Sequence, residues 1–90
     1  MKKRTGKYYV YIVKCQKGTY YIGYTNDIKN RLKLHNRGLG ARYLRGKSPI
    51  ELVYVKKYKY YKSAINKEIS LKKLTRKQKE ELIKTYEKTK

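Results

Sequence analysis

The sequence predicts an α/β fold: a small three-stranded, mainly antiparallel sheet flanked by about three helices. Three observations carry this reading. Residues 8–14 and 19–24 are tyrosine-rich strand patterns joined by the short stretch Cys15-Gln16-Lys17-Gly18, a hairpin signal. Residues 50–58 (IELVYVKKY) follow Pro49 and are rich in β-branched and aromatic residues, which suits a third strand. Apolar residues recur at helical spacing over 27–37, 63–74 and 76–86. A chain of 90 residues has room for one modest core, so residues 1–90 read as one domain, its core about 7–86, with mobile ends.

Charge narrows the function. The 26 Lys and Arg residues against 6 Asp and Glu give a net charge of +20, spread along the whole chain. Self-repulsion on that scale opposes compaction, and a polyanionic partner relieves it. Nucleic acid is the leading partner class. A membrane surface is disfavoured, because no basic amphipathic segment carries Trp, Phe or Leu anchors. No run is long enough to span a bilayer, and no apolar segment follows Met1-Lys2-Lys3-Arg4 as a secretory signal requires. A lone Cys15 fits a reducing compartment, and the reading is a cytoplasmic protein. All twelve aromatics are tyrosine, whose hydroxyls need partners when buried, so some must sit at a rim or in a groove.

In chain order, the first strand sets Tyr9, Tyr11, Val13 and Cys15 on one face and Tyr8, Val10 and Ile12 on the other. Both faces are largely apolar, so this strand is expected at the centre, covered on both sides. The second strand carries Gly23, which leaves room for a close approach to the backbone. Thr25-Asn26-Asp27 supplies N-cap chemistry for the first helix. There Ile28 and Leu32 form the buried stripe, which Leu39 joins if the helix runs that far. Arg31 and His35 lie one turn apart at the edge of the packed face, where a charge usually has a partner or a task.

Residues 36–47 (NRGLGARYLRGK) hold three of the six glycines with Arg37, Arg42, Arg45 and Lys47. They read either as a solvated connector or as amides and guanidiniums lined up along a phosphate backbone, and these four side chains are the nucleic-acid-binding candidates. Ser63 is the expected N-cap of the second helix, on which Ala64, Ile65, Ile69 and Leu71 form an apolar arc with Glu68 in its middle. Lys72, one turn on, offers Glu68 a simple structural partner. Thr75 to Gln78 reads as a capping box opening the third helix, whose apolar positions are Leu82, Ile83 and Tyr86.

Hydrolysis of a phosphodiester needs a positioned water, a base for its proton, and positive charge for the phosphoryl oxygens and the leaving group. One carboxylate suffices to hold Mg²⁺, which keeps several waters of its own. The chain offers Glu68 as ligand, Arg31 as phosphate clamp, and Tyr11, Tyr21 or His35 to handle protons. A free tyrosine titrates near 10, so a phenolic base at neutral pH requires lowering by a nearby cation, here expected from Arg31. Taken singly, each residue has a plainer explanation. The tyrosines can be cross-strand packing, Arg31 a solvated basic residue, and His35 structural. Cys15 with His35 lacks an orienting Asn or Asp for thiol chemistry, and no group has zinc-like spacing.

Together the residues resemble a family. Tyr9-Val10-Tyr11, Tyr21-Ile22-Gly23, Arg31, His35 and the later helical Glu68 are similar to the motifs of the GIY-YIG endonuclease superfamily. Small stand-alone bacterial members near the structure-specific nuclease branch are the nearest in pattern. The resemblance runs from about Lys7 to Ile83 and includes YVYI, YIGYT, the helical R-x-x-x-H-N, the G-x-G-A-R-Y loop and the P-x-x-L-V-Y strand. It implies the GIY-YIG nuclease fold and a metal-dependent endonuclease that hydrolyses DNA, guided by structure more than sequence, with DNA repair as its setting. It implies Tyr11 as general base, Tyr21 orienting water or phosphate, Arg31 stabilising charge, His35 as an auxiliary proton or phosphate contact, and Glu68 as the sole ligand of Mg²⁺ or Mn²⁺. The first motif departs from the family with Tyr9 in place of the usual glycine, and residues 76–90 lack the asparagine that some members carry. Two other readings stand beside this one: a non-catalytic DNA- or RNA-binding module on the same scaffold, and a subunit that cleaves only with a protein partner.

Overall fold

A computed structural model describes residues 5–40, 44, 46–47 and 49–89. The elements run β1 (Thr5–Lys14), β2 (Tyr20–Thr25), α1 (Ile28–Asn36), β3 (Glu51–Tyr60), α2 (Tyr61–Lys72) and α3 (Arg76–Lys88). The sheet order is β2-β1-β3 and both pairings are antiparallel, so the three strands and three helices expected from the sequence are present. Boundaries moved by one to three residues. Of the basic lead-in, residues 1–4 lie outside the described residues, and Thr5 already belongs to β1.

The central strand shows why its sequence is apolar on both faces. Val10, Tyr11, Ile12 and Val13 are all fully buried. Val10 and Ile12 join Ile22, Val53, Tyr54, Ala64, Leu71 and Ile83 in one core. Tyr11 and Val13 join Cys15, Leu44 and Ile50 in a second core, with Tyr21, Ile28 and Leu32 packed against it. Helices α2 and α3 thus cover one face, while α1 and the segment after it cover the other. The β1–β3 register slips between the pairs Ile12–Tyr54 and Val13–Leu52, which leaves Val53 as the extra residue of a bulge. Consecutive residues Val53 and Tyr54 therefore both enter the first core.

Local chemistry sets the helix ends, with two departures from expectation. Asp27 caps α1 by accepting from the Asn30 amide at 3.1 Å, and Thr75 opens α3 with a reciprocal Gln78 contact, as predicted. Ser63 is not the cap of α2. The helix follows β3 without a loop, its N-cap is Tyr60 with no side-chain hydrogen bond, and Ser63 lies inside the first turn. Leu39 does not join the buried stripe, because α1 stops at Asn36 and Leu39 is 65% exposed. Gly38, at φ +76, takes the chain out of the helix through the left-handed region that a side chain resists.

Candidate active site

Tyr11 sits opposite Gly23 in the β1–β2 ladder. A Cβ at position 23 would lie 2.7 Å from the Tyr11 hydroxyl and 2.9 Å from its Cζ, closer than atoms tolerate. The close approach that Gly23 permits is therefore made by the phenol of Tyr11 itself, which lies across β2. Its hydroxyl shares a 2.9 Å hydrogen bond with Nε2 of His35 on α1. Tyr21 completes the group: its ring centroid is 6.4 Å from that of Tyr11 and 5.7 Å from that of His35.

His35 was expected at the edge of the packed face; instead it is fully buried. The chain after α1 folds back over it, with the Leu39 and Gly40 amides both donating to the Leu34 carbonyl. A Cβ on Gly40 would overlap Nδ1 of the imidazole, so this glycine serves packing against His35. Neither Gly40 nor the fold-back was legible as such, since a Gly-rich polar run also fits a solvated loop.

The electrostatics overturn one expectation. Arg31 does not lower the Tyr11 phenol below its ordinary value of 10. Burial raises it, and the hydrogen-bonding and charge of Arg31 recover only part of that rise, while Tyr21 and Glu68 add to it. At neutral pH Tyr11 is therefore a neutral phenol. His35 moves the other way: burial, then the Arg31 charge, hold its imidazole below 6.5, so it is neutral as well. The pair is a phenol facing an unprotonated imidazole.

Arg31 is half-buried, and its Nε lies buried without a hydrogen-bond partner, which is an unusual state for a guanidinium nitrogen. The same residue lines a cleft of about 380 Å³ with Tyr8, Tyr24, Thr25, Asn26 and Tyr61. A second opening of about 310 Å³ is lined by Tyr20, Tyr21, Ile22, Lys72 and Lys79. The tyrosines of the first cleft and Lys79 were not singled out from sequence; Tyr24 and Tyr61 are too far apart in the chain for any local pattern to join them.

Glu68 does occupy the middle of the inward stripe of α2, between fully buried Ala64 and Leu71. The expected arc was partly wrong, because Ile69 is 48% exposed. Positions 64, 68 and 71 share one helix face, whereas 69 falls away from it. Nor is the carboxylate unpaired. Its side chain is 15% exposed and an oxygen lies 3.6 Å from Nζ of Lys72, the structural partner that the spacing allowed. Its charge is nevertheless felt at Tyr11. Among the described residues no group of three His, Cys, Asp or Glu side chains forms a metal cage. One mostly buried carboxylate suits Mg²⁺ or Mn²⁺, hard cations that accept a single carboxylate with waters and phosphate oxygens, so the donor set fits such an ion and excludes a zinc-type site.

Of the four nucleic-acid-binding candidates, Arg37 and Lys47 are among the described residues. Arg37 is exposed at the C-cap of α1. Lys47 is half-buried, and its carbonyl accepts from the Gln16 amide of the hairpin turn at 3.3 Å. Arg42 and Arg45 lie outside the described residues. Among the described residues no helix is long and apolar enough to cross a membrane.

This ββα unit, with a tyrosine on each strand facing the Arg and His of the helix, is the arrangement of a known nuclease domain. The GIY-YIG catalytic domain model matches residues 7–81, and the chain belongs to the GIY-YIG family. That family is one of nucleases acting on nucleic acid, generally with divalent metals. The UPF0213 protein CPE1444 of Clostridium perfringens is 47% identical over 75 residues, covering 83% of this chain and 81% of that one. UPF0213 protein YazA of Bacillus subtilis is 42% identical over 76 residues, covering 84% and 77%. The solution NMR structure of EF2693 from E. faecalis aligns with a TM-score of 0.63 at 38% identity, over 96% of this chain and 92% of that one. That of the UPF0213 protein BH0048 from Bacillus halodurans aligns at 0.59 and 39%, over 88% and 84%.

Proposed function

We propose that the protein is a divalent-metal-dependent endonuclease that hydrolyses DNA phosphodiester bonds, selecting its substrate by structure, in the cytoplasm. The observation that carries this is the convergence of Arg31, His35 and Glu68 on the Tyr11 hydroxyl. In a structural aromatic pair, a buried phenol needs one hydrogen-bond partner and no surrounding charge.

The scissile phosphate sits against the part of the Arg31 guanidinium that lines the cleft. Tyr11 is the general base, but not as a phenolate. With the His35 proton on Nδ1, the Tyr11 hydroxyl donates to Nε2 across 2.9 Å. As the attacking water gives its proton to the Tyr11 oxygen, the phenolic proton passes to the imidazole. The lowered basicity of His35 keeps it unprotonated and ready at neutral pH. Tyr21, packed on both rings, orients the water or a phosphoryl oxygen. Glu68 would hold the cation, which when bound supplies positive charge to the phosphoryl oxygens and the leaving group. Lys72 must give up its contact with Glu68 for this, a modest cost for a lysine that is 56% exposed.

That same contact favours the second reading, a binding module of the same fold, because Glu68 already has a partner. Incubation with flap, junction and plain duplex DNA in Mg²⁺, Mn²⁺ or EDTA decides. Cleavage that needs the metal and is lost in Tyr11→Phe supports the nuclease; tight DNA binding with no cleavage of any substrate defeats it.

A further inference from the structure

The cleft beside Arg31 belongs to neither the hydrogen-bonded Tyr11–His35 pair nor Glu68. Its volume of about 380 Å³ is that of a small-ligand site. Three tyrosines line it, and Tyr61 stands edge-on at 5.7 Å from both Tyr8 and Tyr24. Tyr24, on the edge strand β2, is 36% exposed, a large area for an aromatic ring. Thr25 and Asn26 add donors and acceptors at the rim. Arg31 is common to the cleft and the catalytic group, so whatever fills the cleft lies beside the phosphate that Arg31 holds.

We infer that this cleft receives an unpaired nucleobase of the DNA strand, next to the scissile phosphate, stacked on Tyr24. The choice of occupant follows from the lining and the charge. A domain of net charge +20 draws in a polyanion, and Arg31 fixes one of its phosphates. Aromatic rings with a polar rim match a planar, hydrogen-bonding heterocycle, and every base presents a π-face to them. A base stacked in duplex cannot enter without leaving its neighbours, at a cost that is least where the strand is already unpaired. The cleft thereby gives the site a preference for gaps, flaps and junction arms. This rests on the nuclease reading for its biological use, but the binding itself needs no chemistry.

The test is metal-free, so that it stands apart from cleavage. A duplex with a one-nucleotide unpaired position carrying 2-aminopurine, and a fully paired control, are titrated with protein in EDTA. Stacking on Tyr24 quenches the fluorescence of the unpaired probe. Tyr24→Phe keeps the ring and retains both the quench and the affinity. Tyr24→Thr keeps strand propensity at this edge position and loses the ring. It abolishes the quench and weakens binding of the unpaired substrate by roughly tenfold, within the range of one lost base stack. Binding of the paired control changes less than twofold in either variant. Circular dichroism confirms that each variant is folded. A wild-type quench in folded Tyr24→Thr, or an equal loss on paired and unpaired DNA, overturns the inference. Absence of cleavage with the quench intact would instead defeat the nuclease reading and leave the base-binding cleft standing.

Discussion

His35→Gln tests the proton path and the electrostatics together. Gln reaches the position of Nε2 and can still bond the Tyr11 hydroxyl, but it neither titrates nor accepts a proton. In the wild-type fold, burial and Arg31 hold the imidazole below 6.5, whereas in the unfolded chain it titrates near that value. Below pH 6.5 the unfolded chain therefore takes up a proton that the folded chain refuses, and stability falls as pH falls. The contribution is present in full above pH 6.5 and is lost on the way down to the folded pKa. One linked proton bounds the slope at about 1.4 kcal/mol per pH unit. With a urea m-value of about 1 kcal/mol per M for a domain this small, the midpoint moves by at most about 1.4 M per pH unit. His35→Gln should flatten that slope between pH 6.5 and 5, above the range where most carboxylates titrate. At pH 8 it should cost about 1–2 kcal/mol, because a planar ring packed against Gly40 is replaced by a looser chain. Cleavage should fall about 100-fold or more, since no other neutral base receives the Tyr11 proton. Urea unfolding at half-unit pH steps, for both proteins, reads the first effect and single-turnover cleavage the second. A wild-type midpoint constant from pH 8 to 5, or the same slope in His35→Gln, would refute the argument.

Four further outcomes follow. Gly23→Ala puts a methyl 2.7 Å from the Tyr11 hydroxyl, so it should cost about 1–3 kcal/mol and misplace the phenol, read by thermal melting and cleavage together. Arg31→Lys keeps the charge but loses the planar fork; cleavage should fall far more than DNA affinity, and equal activity would remove Arg31 from the clamp role. Glu68→Gln should abolish metal-dependent cleavage and weaken Mg²⁺ binding, yet move stability by less than about 1 kcal/mol, because its Lys72 partner is 56% exposed. DNA affinity should fall steeply with salt, with a log–log slope of roughly −4 to −5 if about five phosphates are neutralised; a flat response would sink the electrostatic reading.

The sequence by itself determined the elements and most of what they carry. Alternating apolar residues on both faces of 8–14 require a covered central strand, and β1 is that strand. Asp27 and the Thr75–Gln78 box are local signals whose hydrogen bonds close within a few residues, so they were readable without a fold. The ordered set Tyr11, Tyr21, Arg31, His35 and Glu68 marked the family, which residue chemistry at fixed spacing is able to do. The start of α2 was misread because a strand running straight into a helix leaves no loop to be capped, and Ser63 imitated a cap inside the first turn. What tertiary structure decided are properties that depend on distant chain. Gly40 closes over His35, and that burial, with the Arg31 charge beside it, lowers the imidazole below its ordinary value. Desolvation outweighs Arg31 at Tyr11, a balance that charge counting had reversed. The cleft of Tyr8, Tyr24 and Tyr61 joins three segments that share no period. Spacing along a chain fixes which side chains share a face, but desolvation and cavities arise from what the rest of the chain lays on that face.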